Sequence, residues 1–244
     1  MPKVVHIITE LNVGGAENAL YQLILHTDRE TFKIVVISLE DKGTFGEPIE
    51  ALDVPVHTLN INPSRPNPLA LLTLIRILRR EKPDIVHAWL YHAIIAASVT
   101  MYFMPRAVLG WNIRNATIVN FRNRTKRLIF NACARLSRQA DFIIANTEVG
   151  HKLHVDAGYH DGHWQIIYNG FDADHFKPDA AARKRIRAEL ALPDTALVIG
   201  QVGRLTPEKN YPGFIAAALN LLETQPDVHF VAVGKDVTPD SLGT

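Results

Sequence analysis

Val202-Gly203-Arg204-Leu205-Thr206-Pro207-Glu208-Lys209-Asn210 is the stretch that decides how this chain folds. An apolar run, Leu197 to Val202, enters it as a buried strand. A helical pattern from Tyr211 to Glu223 leaves it, and a second strand run, His229 to Val233, follows. Strand, crossover helix and strand spell one parallel βαβ unit. The glycine turn at Gly203 exposes Arg204, and Lys209 opens the next helix. Guanidinium grips phosphate oxygens bidentately, ammonium binds them as a point charge, and free helix N–H groups favour the same anion. The segment therefore reads either as a pyrophosphate clamp or as a strand–loop–helix with two solvated cations.

Upstream, the same alternation fills the chain. Short β-branched runs stand at Val4–Ile8, Ile34–Ser38, Val56–Leu59, Ile85–Ala88, Ala107–Trp111, Phe142–Ala145 and Gln165–Tyr168. Amphipathic stretches lie between them: Ala16–His26, Pro68–Glu81, His92–Phe103, Asn123–Arg138 and Glu148–Ala157. This predicts an α/β fold with a doubly wound parallel sheet over residues 1–168, ligands sitting at the carboxyl ends of its strands. Asn169-Gly170-Phe171-Asp172 breaks the pattern with turn chemistry and Pro178 closes the break, so 169–178 reads as a linker. A polar helix, Ala180 to Ala191, opens a second domain over 179–244. Two strands and one crossover cannot build a complete sheet with its own core, so this domain is expected to be incomplete at Thr244.

Of the 244 residues, 47% are hydrophobic and 21% charged, with a net charge of +1, as expected of a soluble globular protein. A lone cysteine, Cys133, excludes an intramolecular disulfide and a cysteine-built zinc cluster. The N-terminal run is too short and polar-flanked for a signal peptide, and no apolar run reaches the ~20 residues of a membrane span. A cytoplasmic location is the expectation. The charge is unevenly spread. Between Asp84 and Asp141 there is no carboxylate, while Arg106, Arg114, Arg122, Arg124, Lys126, Arg127, Arg135 and Arg138 all fall there. Such a region either attracts anionic partners or forms a solvated basic face balanced elsewhere.

Several other groups carry chemistry. Gly14-Gly15-Ala16-Glu17 follows the first strand and opens a helix, where glycines allow a ligand close to the backbone. It is no Walker loop and lacks the G-x-G-x-x-G fingerprint, although Glu40 and Asp41 end the second strand where a ribose-binding acid would stand. A plain tight turn is the alternative. His87, Trp89, Tyr91 and His92 cluster at one strand end, where rings stack on sugar faces or simply pack. Arg114, in Trp111-Asn112-Ile113-Arg114-Asn115, ends the next strand and offers either an anion contact or a strand-end salt bridge. The helix 123–138 sets Lys126, Arg127, Arg135 and Arg138 beside Leu128, Ile129, Phe130 and Leu136. It suits an anionic bilayer or a sheet face. Nucleic acid is not expected as a partner, since no basic stacking platform with aromatics is visible.

These segments, in this order, resemble the GT-B-fold retaining glycosyltransferases of the family-4 type. Gly203-Arg204-Leu205 with Lys209-Asn210 is similar to their G-R-L-x-x-x-K-[GN] signature, and Gly14-Gly15-Ala16-Glu17 to their N-terminal G-G-A-E. Pro83-Asp84-Ile85-Val86-His87 resembles their P-D-[IV]-[VI]-H, with Trp89 where a second histidine is common. Arg114 stands where many members have a histidine beside the donor hexose, and Lys235-Asp236 where they have a glycine-rich turn. Asn169-Gly170-Phe171-Asp172 with Phe176 resembles the segment joining their two domains.

The resemblance implies two Rossmann-like domains, the second truncated in this chain. It implies hexosyl transfer from a nucleotide diphosphate sugar to a carbohydrate or lipid-linked acceptor, with retention and with neither metal nor cofactor. Arg204 and Lys209 would act on the donor diphosphate, Gly14, Gly15 and Gly203 would complete the donor site, and His87, Trp89, His92 and Arg114 would line an acceptor or sugar pocket. Lipid-linked acceptors would place the protein peripherally on the inner face of an anionic membrane. The family's glutamate-x7-glutamate pair would fall beyond Thr244, so little transferase activity is expected of these residues alone. Two alternatives remain at this level: a non-catalytic module binding sugar nucleotides or anionic glycans, and a nicotinamide-dependent oxidoreductase resting on Glu40 with Gly14 and Gly15.

Overall fold

Lys3–Ile8 forms strand β1, which pairs on both edges. Val4 stands opposite Ile34 of β2 (Lys33–Ser38) and Ile85 of β4 (Ile85–Trp89), both parallel. With β3 (Val56–Thr58), β5 (Val108–Ile113), β6 (Phe142–Ala145) and β7 (Trp164–Ile166) it builds a 7-stranded parallel sheet ordered β3-β2-β1-β4-β5-β6-β7. The computed structural model describes residues 1–62, 67, 69–115 and 124–242. The order reverses between β1 and β4, and such a reversal opens a crevice beyond the strands' carboxyl ends.

A parallel strand needs both faces covered, and the side chains of β1 alternate accordingly. Val5 and Ile7 point to one core together with Val35, Ile37, Val86, Ala88, Leu109 and Trp111. Helices α3 (Leu69–Glu81), α4 (Tyr91–Met101) and α5 (Arg124–Leu136) cover that side through Leu74, Leu78, Ala93, Ile94, Ala97, Phe130 and Cys133. Ile8 belongs to the other core, with Ile34, Val36 and Trp89, under Leu20 and Ile24 of α1 (Gly15–Leu25). A five-residue helix, α2 (Gly46–Glu50), adds Ile49 to this second core. Helix α6 (Glu148–Asp156) starts on a Thr147 cap, whose hydroxyl accepts from the Gly150 N–H at 2.9 Å. The helix starts expected at Pro68 and Asn123 lie outside the described residues.

The chain divides into two compact units, Met1–Gly170 and Phe171–Thr244. The second holds α7 (Ala180–Glu189), β8 (Val198–Val202), α8 (Tyr211–Leu222), β9 (His229–Val233) and the short α9 (Pro239–Leu242). β8 and β9 pair in parallel, Val198 opposite His229. Among the described residues of this unit, only Tyr211, Ala218 and Val228 are buried hydrophobics, and Val202 stays 78% exposed. The second unit thus has a βαβ hydrogen-bond frame with little core beneath it.

Trp111 is fully buried on β5, yet its indole N–H meets no acceptor among the described residues. Trp111→Ala empties a large volume and is expected to cost about 3–5 kcal/mol. Trp111→Phe retains a smaller aromatic ring and removes the orphaned donor, so it is expected to cost less than Trp111→Ala. Urea denaturation of both variants checks the difference.

Candidate functional site

The Gly203–Asn210 loop is held from three sides. The Gly203 N–H donates to the Val233 carbonyl at 2.8 Å, and the Leu205 N–H to the Lys235 carbonyl at 3.2 Å. The buried Tyr211 hydroxyl donates to the Gly203 carbonyl at 2.6 Å. The end of β9 approaches so closely that a Cβ on Gly234 would fall 1.7 Å from the Gly203 oxygen. Glycine at 234 is therefore a condition for this loop. Gly203 makes a second space: a Cβ there would stand 3.2 Å from Cδ and Cε of Lys209, so the lysine stem lies across the bare glycine.

The expectation that Lys209 opens the helix needs correcting. Lys209 ends a 3₁₀ turn, Pro207–Lys209, and α8 begins after Asn210, a left-handed residue with φ 48°. The Asn210 side chain caps α8 by accepting from the Gly213 N–H at 3.3 Å. The lysine is thereby lifted off the helix and returned toward Gly203. Arg204 and Lys209 are both exposed, and neither side chain meets a carboxylate among the described residues. Two exposed cations next to a glycine turn have the charge and the donors to hold a polyanion.

In the first unit, Gly14 and Gly15 lie beyond β1 at the start of α1. They differ. A Cβ on Gly14 would meet the Glu17 carboxylate at 2.1 Å, whereas one on Gly15 meets nothing within 4 Å. The Glu17 carboxylate folds back over Gly14 and faces the positive end of α1. Gly15 is the exposed backbone position open to a ligand.

The four residues expected to line an acceptor or sugar pocket, His87, Trp89, His92 and Arg114, differ in how accessible they are. Trp89 is fully buried and His87 nearly so, because both point to the side of the sheet opposite Val86 and Ala88, where Trp89 joins the second core. The Trp89 indole donates to Nδ1 of His6 at 3.2 Å, and the two rings lie 6.1 Å apart. His87 sits among His6, Trp89 and Phe142 at 5.1–5.6 Å. Trp89 therefore packs and has no surface to offer a sugar. His92 is exposed in the first turn of α4.

Arg114 is half-buried, 5.1 Å above the Trp89 ring. Its Nε donates to Asn112 Oδ1 at 2.7 Å and its Nη1 to Asn169 Oδ1. Nothing local in the sequence marks His6, Asn112 or Asn169 as neighbours of this site; Asn169 reads there only as turn chemistry and Asn112 only as part of a strand end. They are polar residues on separate segments, and only strand register brings them together.

On α5, Leu128 is 67% exposed beside Arg124 and Arg127, while Phe130 and Cys133 are buried against the sheet. Arg122 lies outside the described residues. No helix among the described residues is long and apolar enough to cross a membrane.

Residues 13–175 match the model of Glycosyltransferase Family 4, and residues 182–242 that of Glycosyl transferases group 1. The chain belongs to glycosyltransferase family 4. It is 22% identical over 228 residues to EpsF of Bacillus subtilis (strain 168), a glycosyltransferase by name, covering 91% of this chain and 59% of that protein. Among solved structures it is similar to Anabaena HepE in complex with UDP and glucose. That likeness has a TM-score of 0.78 at 22% identity, over 100% of this chain and 64% of that one. It is also similar to sucrose-phosphate synthase from Thermosynechococcus elongatus, with a TM-score of 0.73 at 14% identity, over 95% of this chain and 62% of that one. At these identities the likeness concerns the fold, which is α/β and of the GT-B type. The chain spans less than two thirds of the length of each of these proteins. Family membership replaces the oxidoreductase alternative. Glu40 stands among Glu10 and Asp41, and burial first, then these neighbours, raise its carboxyl above the usual range.

The site generates two expectations. Tyr211→Phe removes the hydroxyl that ties the loop, a bond worth about 1 kcal/mol, so amide exchange in the 203–210 loop should speed roughly fivefold. The second concerns His6, which is held neutral by burial first and then by Arg29, its pKa lowered from 6.5 to about 3. His87 is likewise lowered, by burial first, then His6 and Arg114. The unfolded chain binds more protons in this window. Stability should therefore fall as pH drops from 6.5 toward about 3, by ~1.4 kcal/mol per pH unit from His6 alone. Urea melts at pH 7, 6 and 5 measure the slope, and His6→Asn should reduce it while leaving the part due to His87.

Proposed function

We propose that this chain serves hexosyl transfer from a nucleotide diphosphate sugar to a carbohydrate or lipid-linked acceptor, with retention at the anomeric carbon and without a metal. The observation that carries the reading is the pair Arg204 and Lys209, both exposed, both without a carboxylate partner, with the lysine stem laid across Gly203. When the glycosidic bond to the diphosphate breaks, negative charge grows on the leaving phosphate. Arg204 and Lys209 stabilise that charge, the task a metal performs in other enzymes. Fixed cations need no rearrangement as the charge develops, and the loop bonds to Val233, Lys235 and Tyr211 supply that fixity. In the first unit, Gly15 offers a bare backbone N–H to the donor, and His92 and Arg114 are the exposed or half-buried groups of the sugar pocket.

The complexes of HepE with UDP and with UDP-glucose favour a uridine diphosphate hexose as the donor. Leu128 standing exposed among Arg124 and Arg127 supports peripheral contact with an anionic bilayer on its cytoplasmic face, where a lipid-linked acceptor would be met.

Calorimetry with uridine, UMP and UDP tests the clamp. Binding should strengthen sharply at the diphosphate. Arg204→Ala should weaken UDP at least tenfold, and in an enzyme of the relatives' full length should cost about 3 kcal/mol of transition-state stabilisation in turnover. UDP affinity unchanged by both Arg204→Ala and Lys209→Ala would remove the basis of the reading. Vesicle sedimentation checks the membrane contact: Arg124→Glu with Arg127→Glu should release the protein from anionic vesicles.

A further inference from the structure

Arg114 carries a charge that nothing in the chain neutralises. All 25 acidic residues fall inside the described residues, and none pairs with it. Between Asp84 and Asp141 the sequence holds no acid at all. Its partners are neutral oxygens, Asn112 Oδ1 at 2.7 Å and Asn169 Oδ1, and the face of Trp89 at 5.1 Å. Nη2 has no hydrogen-bond partner among the described residues. His87, whose pKa Arg114 helps to lower, is buried and can never supply a negative countercharge.

Burying a guanidinium without a counterion is costly, and guanidinium cannot shed its proton to escape the cost. Here two asparagines and an indole fix the fork in one orientation while leaving part of it unused. The residue stands at the carboxyl end of β5, the edge where doubly wound sheets receive ligands. A preorganised, half-buried, uncompensated guanidinium matches a planar carboxylate or a phosphate, and selects against a neutral group that leaves the charge unpaired.

We propose that Arg114 recognises an anionic group, carboxylate or phosphate, on the sugar substrate, so that the transferred or accepting sugar is an acidic one. This rests on the glycosyl-transfer reading. It assigns to Arg114 an anion distinct from the donor diphosphate, which falls to Arg204 and Lys209. Asn112 and Asn169 are positioning residues that hold the fork.

The test titrates the 244-residue chain with glucose, glucuronate, glucose 6-phosphate, inorganic phosphate and UDP, each separately. One of the two acidic sugars should bind at least tenfold tighter than glucose, and which one does identifies the anion as carboxylate or phosphate. Arg114→Gln should reduce that preference to within about twofold. Asn169→Asp places a carboxylate against Nη1, and should cut the preference at least fivefold while raising the melting temperature. That combination is not expected of a merely structural arginine, and it stands even if Arg114→Gln folds poorly. UDP affinity should hold in both variants. Equal binding of charged and neutral sugars overturns the proposal. So do no sugar binding at all, a preference that survives both substitutions, and inorganic phosphate binding as tightly as the phosphorylated sugar. In each of these cases UDP binding that depends on Arg204 leaves the glycosyl-transfer reading standing, and loss of UDP binding alone strikes that reading instead.

Discussion

The pairing of β1 with both β2 and β4 is the constraint on which the first unit depends. A parallel strand in mid-sheet buries both faces, so the buried apolar residues of β1 are divided between two cores. Val5 and Ile7 close one side, Ile8 the other, and the reversal of strand order beside β1 leaves open strand ends where the chain can meet a ligand. A one-residue slip of β4 against β1 would exchange the faces of all its side chains. His87 and Trp89 would move to the α4 side, and the polar chain from His6 to Arg114 would not exist.

The second unit depends on a different economy of contact. With few buried hydrophobics, its order comes from close backbone approach. Gly234 lets β9 touch the Gly203 peptide, Tyr211 reaches up from α8 to the same peptide, and Asn210 turns the chain into the helix. The phosphate-binding candidates ride on this scaffold. Their charge is free because the scaffold uses glycine, tyrosine and asparagine where it could have used ion pairs. Preorganisation of this kind keeps cations available to a ligand at little reorganisation cost.

Much of this was legible in the residues. Short β-branched runs matched the nine strands among the described residues to within a few residues, since buried parallel strands are short, apolar and bounded by turn residues. The long amphipathic helices were legible for the same reason. The five-residue α2, with Pro48 inside it, left no periodic trace, and neither did the 3₁₀ turn carrying Lys209. At the site, Arg204 and Gly203 were readable from a local motif. Trp89 was not: an aromatic at a strand end reads alike whether it faces a ligand or a core. The Glu17 carboxylate closing over Gly14 was equally hidden, because a side-chain direction decides it.

The sequence by itself determined the α/β alternation, the break near Asn169, the family and the presence of an arginine–lysine pair after a strand. Each is written within a few neighbouring residues, by local sterics and hydrophobic period. Only the tertiary structure decided that Trp89 packs while Arg114 stays half-open above it, and that Asn169, fifty-five positions along the chain, holds that arginine. Those outcomes follow from strand register and from which face each residue is given, and both are settled by segments far apart in the chain.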